Sequence, residues 1–307
     1  MINIDDIKKF FRGTILLSEP MSNHTTFRIG GPADYYFRPE NKDDALEIIR
    51  YLQKNIFPFF ALGKGSNLLV NDDGFRGAVV DIESALKSIY AEGNQIYAEA
   101  GVALNRFVDF SIQHQKKGVE MLAGIPGTIG GAIVMNAGAY GGEISNYINK
   151  VEVLRNGAIV VLGKDQLGFS YRRSSLTDTD VVLSGWFELP NGNAEELMKV
   201  RNDWILQRNR KHPGNYPNCG SVFKNPKGTP SAKLVEDAGL KGMICGAAQI
   251  SEKHGNFIVN LGGAKAKDVY HLIQTVQKTV FEKFNIELEL EVKLLGYLQN
   301  VNKKITD

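Results

Sequence analysis

The stretch Gly124-Ile125-Pro126-Gly127-Thr128-Ile129-Gly130-Gly131, continuing through Met135-Asn136-Ala137-Gly138-Ala139-Tyr140-Gly141, decides how this sequence reads. Gly124 to Glu143 holds seven glycines in twenty residues, and Glu143 is its first charge. Glycine permits positive φ and lets another molecule come close to the main chain. Successive exposed N–H groups make an anion-binding concavity suited to a diphosphate. The alternative is that the glycines serve tight turns alone. A second polar loop, Gly63-Lys64-Gly65-Ser66-Asn67-Leu68, has the same character. It is not a dinucleotide fingerprint, because the third glycine is missing and a strand pattern follows where a helix would be needed.

Around these loops the pattern alternates between helix and strand. Ala45, Ile48, Ile49 and Leu52 predict a helix over 41–55, and Leu104, Phe107, Val108 and Ser111 predict another. Short strands are expected at 56–60, 68–70, 77–82 and 95–100. Val151–Arg155 and Ala158–Leu162 flank Asn156-Gly157, a strong hairpin signal, and 180–189 reads as a long strand. Pro190-Asn191-Gly192-Asn193 resembles a boundary. Beyond it, Leu197, Val200 and Trp204 are expected to line a helix. Thr229-Pro230 opens a short helix, and Val269, Ile273, Val276, Val280 and Phe284 mark a longer one. Ile286 to Leu294 alternates, which predicts a strand with Glu291 on its polar face. The fold class is α+β.

Composition limits the functions available. The chain has 307 residues, 43% hydrophobic and 23% charged, with 36 basic and 34 acidic side chains. This near balance predicts no broad nucleic-acid or membrane footprint. No apolar run approaches membrane-spanning length. Cys219 and Cys245 form no redox or metal pair, and the five histidines suggest no metal site. A cytoplasmic protein is expected.

Three further motifs lie far apart: Tyr171-Arg172-Arg173-Ser174, then Cys219-Gly220-Ser221-Val222-Phe223-Lys224-Asn225-Pro226, then Glu289-Leu290-Glu291-Val292-Lys293. Taken singly, each reads as surface or turn. Together with the glycine-rich signature, in this order, they resemble the UDP-N-acetylenolpyruvoylglucosamine reductase family, over nearly the whole chain. The Gly63–Asn67 loop is similar to that of the vanillyl-alcohol oxidase / p-cresol methylhydroxylase flavoproteins. The forty-nine residues from Arg172 to Ser221 suit the family's shorter, second subtype.

The resemblance implies a two-lobed FAD-binding domain of the p-cresol methylhydroxylase type over 28–190, after an N-terminal segment 1–27. A C-terminal αβ substrate-binding domain over 191–307 would follow, its last strand, 286–295, returning Glu291 to the site. It implies non-covalent FAD on Gly63, Lys64, Gly65, Ser66, Asn67, Leu68, Gly124, Ile125, Pro126, Gly127, Thr128, Gly130, Gly131, Asn136, Gly138 and Ala139. NADPH is implied as co-substrate and a UDP-sugar as substrate, in a monomer. Arg172, Ser221 and Glu291 are implied as the catalytic group. Hydride would pass from flavin N5 to the enol carbon, Ser221 would protonate the adjacent carbon, and Arg172 and Glu291 would stabilise the enediolate. Tyr171, Arg208, Lys224, Asn225 and His254 are expected to bind substrate, His254 with a solvent-exposed turn as its alternative. Arg172 is preferred to Arg173 because it directly follows the tyrosine. Rival readings are another oxidase of the same flavin fold and a non-catalytic nucleotide-sugar binder.

Overall fold

The structure, a computed structural model, describes residues 2–297. Along the chain the helices are α1 (Ile4–Ile7), α2 (Lys42–Lys54), α3 (Ile82–Ala85), α4 (Leu104–Gln113), α5 (Ile129–Val134), α6 (Ala194–Lys211), α7 (Ser231–Asp237) and α8 (Ala266–Phe284). The strands are β1 (Thr14–Pro20), β2 (Pro32–Arg38), β3 (Phe59–Leu62), β4 (Leu68–Val70), β5 (Phe75–Asp81), β6 (Ile89–Glu92), β7 (Gln95–Glu99), β8 (Gly138–Ala139), β9 (Gly142–Glu143), β10 (Ile148–Arg155), β11 (Ala158–Gly163), β12 (Val181–Glu188), β13 (Ile244–Cys245), β14 (Ala248–Ile250), β15 (Ile258–Asn260) and β16 (Lys293–Leu295). The chain folds as two compact units interleaved in sequence. Among the described residues, the first takes 2–16, Tyr35–Lys64 and Gly77–Arg210; the second takes Leu17–Asp34, Gly65–Arg76 and 211–297.

In the first unit, β11-β10-β12-β7-β6 form an antiparallel sheet. Asn156-Gly157 turns β10 into β11 with positive φ at both residues, as a two-residue hairpin with right-handed strand twist requires. Asn41 caps α2 by accepting from the Asp44 N–H, and Ala45, Ile48, Ile49 and Leu52 are buried beneath it. Leu104, Phe107, Val108 and Ile112 of α4 enter the same core as Val151, Val153 and Leu183.

The second unit has its own core, in which Val269, Leu272, Ile273, Val276 and Val280 of α8 meet Phe27, Leu69, Phe223 and Ile258. The sheet β13-β14-β15 lies in this unit, and β16 pairs in parallel with β4, Lys293 opposite Leu68.

Three local expectations need correction. The strand expected from Ile56 begins at Phe59, because Ile56 sits at φ +50, donates to the Gln53 carbonyl and is 92% exposed as the tail of α2. Val200 is exposed, since the inward face of α6 runs through Leu197, Arg201, Trp204, Ile205 and Arg208. The strand expected over 286–295 is regular only at Lys293–Leu295. Upstream, Leu290 makes an isolated bridge to Phe223, and the N–H groups of Glu291 and Val292 both donate to the Val222 carbonyl. This bulge-like convergence uses one extra residue and shifts the buried positions from Leu288 and Val292 to Leu295.

Candidate active site

In the first unit the glycine-rich segment folds into α5 and the β8–β9 hairpin. Thr128 caps α5 by accepting from the Gly131 N–H at 3.5 Å, and the Gly130 N–H donates to the Ala100 carbonyl at 2.8 Å. Gly131 differs from its neighbour. A Cβ there would meet nothing nearer than Thr128 Oγ1 at 3.8 Å, whereas one on Gly130 would lie 2.9 Å from the Ala100 Cβ. The protein's own packing therefore does not demand glycine at 131, which is the pattern expected where a ligand lies on the main chain. The residues present thus fit a dinucleotide. On the short loop, Lys64 pairs with Glu83 at 3.3 Å.

Asn136 ties this segment to Arg172. It is fully buried at φ +43; its amide donates to Glu143 Oε2 (2.7 Å) and the Ser170 carbonyl (3.0 Å) and accepts from the Ser145 N–H (3.3 Å). Its side chain is thus engaged within the protein. Ser170 and Arg173 close a two-residue turn by exchanging both main-chain hydrogen bonds, with Arg172 at φ +56 in its second central position, as in a type II turn. Such a conformation in an arginine is strained and needs surrounding support. Here Arg172 Nη2 donates to the Gly138 carbonyl at 2.7 Å. Arg172 is half-buried, whereas Arg173 is exposed. Tyr171 is 45% exposed, its ring centroid 5.2 Å from the Arg172 guanidinium.

Arg208 joins the same cluster. Its Cδ would lie 3.0 Å from a Cβ on Gly124, and its guanidinium sits 5.9 Å from the Tyr140 ring centroid. Its Nε is buried without a hydrogen-bond partner among the described residues. Burial lowers its pKa, and the like charge of Arg172 lowers it further.

The second unit carries the other two motifs. Gly65 has φ +61, and a Cβ on it would lie 2.1 Å from the His24 carbonyl oxygen, so this turn requires glycine. Asn67 donates from its side chain to the Glu291 carbonyl at 3.0 Å, and its own carbonyl accepts from the Lys293 N–H at 3.1 Å. Asn256 exchanges side-chain hydrogen bonds with both main-chain groups of Phe223, at 2.9 and 2.8 Å, and its carbonyl accepts from the Val222 N–H. With Glu291 donating to the Val222 carbonyl, the main chain next to Ser221 is held from two sides. Ser221 itself is half-buried.

Burial pushes the Cys219 thiol up to about 12, and the nearby Glu291 charge adds to this, so Cys219 is no thiolate nucleophile. Lys224 is paired with Glu289. Asn225 Oδ1 accepts from the N–H and hydroxyl of Ser231 at the start of α7. His254 is half-buried, with ring neighbours Phe257 at 4.9 Å and His212 at 5.4 Å. Burial lowers its pKa, with Lys241 and Lys211 adding to the shift. Among the described residues no group of three or more His, Cys, Asp or Glu could hold a metal ion. No described helix is long and apolar enough to cross a membrane.

Sequence reading missed Asn256, Tyr140 and Trp204. Asn256 had no local signal. The Trp204 and Arg208 spacing of four residues on α6 could have pointed to a shared face.

Residues 33–163 match a family described as "FAD binding domain", and residues 212–295 match "UDP-N-acetylenolpyruvoylglucosamine reductase, C-terminal domain". A UDP-N-acetylenolpyruvoylglucosamine reductase of Caldanaerobacter subterraneus subsp. tengcongensis is 46% identical over 298 residues, covering 96% of this chain and 98% of the relative. The chain belongs to the UDP-N-acetylenolpyruvoylglucosamine reductase family. It is an oxidoreductase with an FAD-binding domain. A second family member, from Chloroherpeton thalassium, is 42% identical over 312 residues, covering 99% of this chain and 100% of the relative. The crystal structure of the Thermus caldophilus UDP-N-acetylenolpyruvylglucosamine reductase superposes with a TM-score of 0.80 at 34% identity, covering 93% of this chain and 100% of that one. The α+β reductase fold, with its C-terminal domain, follows from this likeness.

Proposed function

We propose that this protein reduces UDP-N-acetyl-3-O-(1-carboxyvinyl)glucosamine to UDP-N-acetylmuramate, a peptidoglycan precursor, using NADPH through FAD. The observation that carries the reading is the hydrogen bond from Arg172 Nη2 to the Gly138 carbonyl, which fixes a guanidinium on the glycine-rich segment of the FAD-binding domain. When bound, FAD supplies the two-electron chemistry that delivers hydride from NADPH to the terminal enol carbon. Gly131 and the loops 63–68 and 124–139 hold the dinucleotide.

Arg172 binds the substrate carboxylate, where negative charge grows as the enediolate forms, so it stabilises the transition state more than the ground state. Ser221 gives its hydroxyl proton to the adjacent carbon and regains one from solvent. Glu291 acts beside it as a protonated or paired carboxyl, because a bare carboxylate would repel the enediolate. Tyr171, Arg208, Lys224, Asn225 and His254 bind the nucleotide sugar. In this reading 28–190 serves the flavin and 191–307 the substrate, residues 298–307 lying outside the described residues. The protein works as a cytoplasmic monomer.

The test is purification with retained flavin, followed by NADPH oxidation with and without the enolpyruvyl nucleotide sugar. Oxidation that depends on the sugar supports the function. A colourless protein, or oxidation indifferent to the sugar, refutes it.

A further inference from the structure

The β8–β9 hairpin pairs Gly138 with Glu143 and Ala139 with Gly142, leaving Tyr140-Gly141 as its two-residue tip. Both tip residues have positive φ, +51 at Tyr140 and +86 at Gly141. The second position suits glycine, but a tyrosine in the first is strained and needs support from outside the hairpin. Trp204 supplies it. The Tyr140 and Trp204 rings stack with centroids 4.1 Å apart and planes at 19°. Trp204 stands one helical turn before Arg208 on α6, so both side chains reach the same patch. Arg201, on the same helix, fixes α6 to Asp109 of α4 at 3.0 Å. Around the tip lie the Arg172–Gly138 hydrogen bond, the Arg208 guanidinium over Tyr140, and the unpartnered Arg208 Nε.

Two guanidiniums gathered around one small hairpin repel each other. An anionic ligand beside them would relieve that repulsion. The hairpin is too short to hold its own shape in water.

We propose that Trp204 is a positioning residue: by stacking on Tyr140 it fixes the 138–143 hairpin and so presents Arg172 and Arg208 as a preformed receptor for the anionic groups of the nucleotide sugar. The inference rests on the functional reading above. It assigns Trp204 no contact with the reacting atoms.

The test compares Trp204→Ala, Trp204→Phe and Tyr140→Ala in the flavin-loaded protein. Binding of the enolpyruvyl nucleotide sugar is followed by calorimetry, and turnover gives KM and kcat. An aromatic stack is worth a few-fold to tenfold in an equilibrium. Trp204→Ala should therefore raise Kd and KM about three- to tenfold, with NADPH-dependent bleaching of the flavin unchanged. Trp204→Phe should stay within about twofold of wild type. Tyr140→Ala should match Trp204→Ala, and combining the two should add little, as expected of one shared interaction. Thermal melts identify any variant that fails to fold; if Trp204→Ala does, Tyr140→Ala takes its place, and it must bind the sugar more weakly than Trp204→Phe. Wild-type turnover with unchanged sugar binding in Trp204→Ala, or a Phe variant as weak as Ala, overturns the inference alone. A wild-type protein that neither binds nor reduces the sugar overturns the functional reading, and this inference with it.

Discussion

Asn67 and Glu291 are joined by a hydrogen bond from the Asn67 side-chain amide to the Glu291 carbonyl, at 3.0 Å. Through it a residue of the short glycine-containing loop sets the main chain that carries a candidate catalytic carboxyl. The neighbouring N–H of Glu291 is held by Val222, next to Ser221. Asn67, the main chain after Ser221 and the Glu291 segment are thus one hydrogen-bonded assembly within the second unit.

Asn67→Ala removes the donor and leaves the Glu291 carbonyl without it. We expect a stability loss of about 1–2 kcal/mol, the usual cost of such a loss. Turnover of the sugar should fall about tenfold. Denaturant titration and steady-state kinetics check both, and wild-type values in each contradict the positioning role.

Asn136→Ala strips three partners from a fully buried site: Glu143, Ser145 and the Ser170 carbonyl. Leaving such groups unsatisfied costs about 3 kcal/mol or more. The Arg172 turn should loosen with it, so the midpoint of unfolding and kcat should both drop.

Gly131→Ala separates ligand space from packing. Alanine favours a helix over glycine, and nothing in the protein obstructs its Cβ. Stability should hold or rise by up to about 1 kcal/mol, while flavin is lost on gel filtration. A variant that keeps its flavin contradicts a dinucleotide lying against this main chain.

Acid stability should depend on Asp180. Its burial would raise its pKa, but hydrogen bonds from Arg155 (2.7 and 3.0 Å) and Thr177 outweigh that and hold it below the ordinary 3.8. The folded state thus takes up the proton less readily than the unfolded chain. The contribution is complete above pH 3.8 and fades as pH falls through the lower folded value. Asp180→Asn should lower the denaturation midpoint at neutral pH and flatten the acid side of the stability curve. An unchanged midpoint contradicts this.

Local patterns carried much of the fold. The α2 face and the Asn156-Gly157 hairpin were legible because each depends on neighbours in sequence. The segment before β16 was not, since its bulge at Glu291 and Val292 is set by Val222, about seventy residues away. Alternation gave the burial of Leu288 and Val292 but could not give the hydrogen bonds. In the site, the glycine-rich segment and the three motifs were visible as sequence, and the choice of Arg172 over Arg173 rested on order alone. What stayed hidden was support. The Asn136 bonds, the Asn256 clasp on Phe223 and the Tyr140–Trp204 stack all join distant residues. Each of the two units likewise draws together segments far apart in sequence.

The role of Ser221 is tested most directly by stopped-flow absorbance on Ser221→Ala, one half-reaction at a time. NADPH should bleach the flavin at the wild-type rate, and the enolpyruvyl nucleotide sugar should restore the colour more slowly by about a hundredfold or more, the usual loss for a missing general acid. Equal slowing of both halves, or wild-type recovery of the colour, would contradict the account.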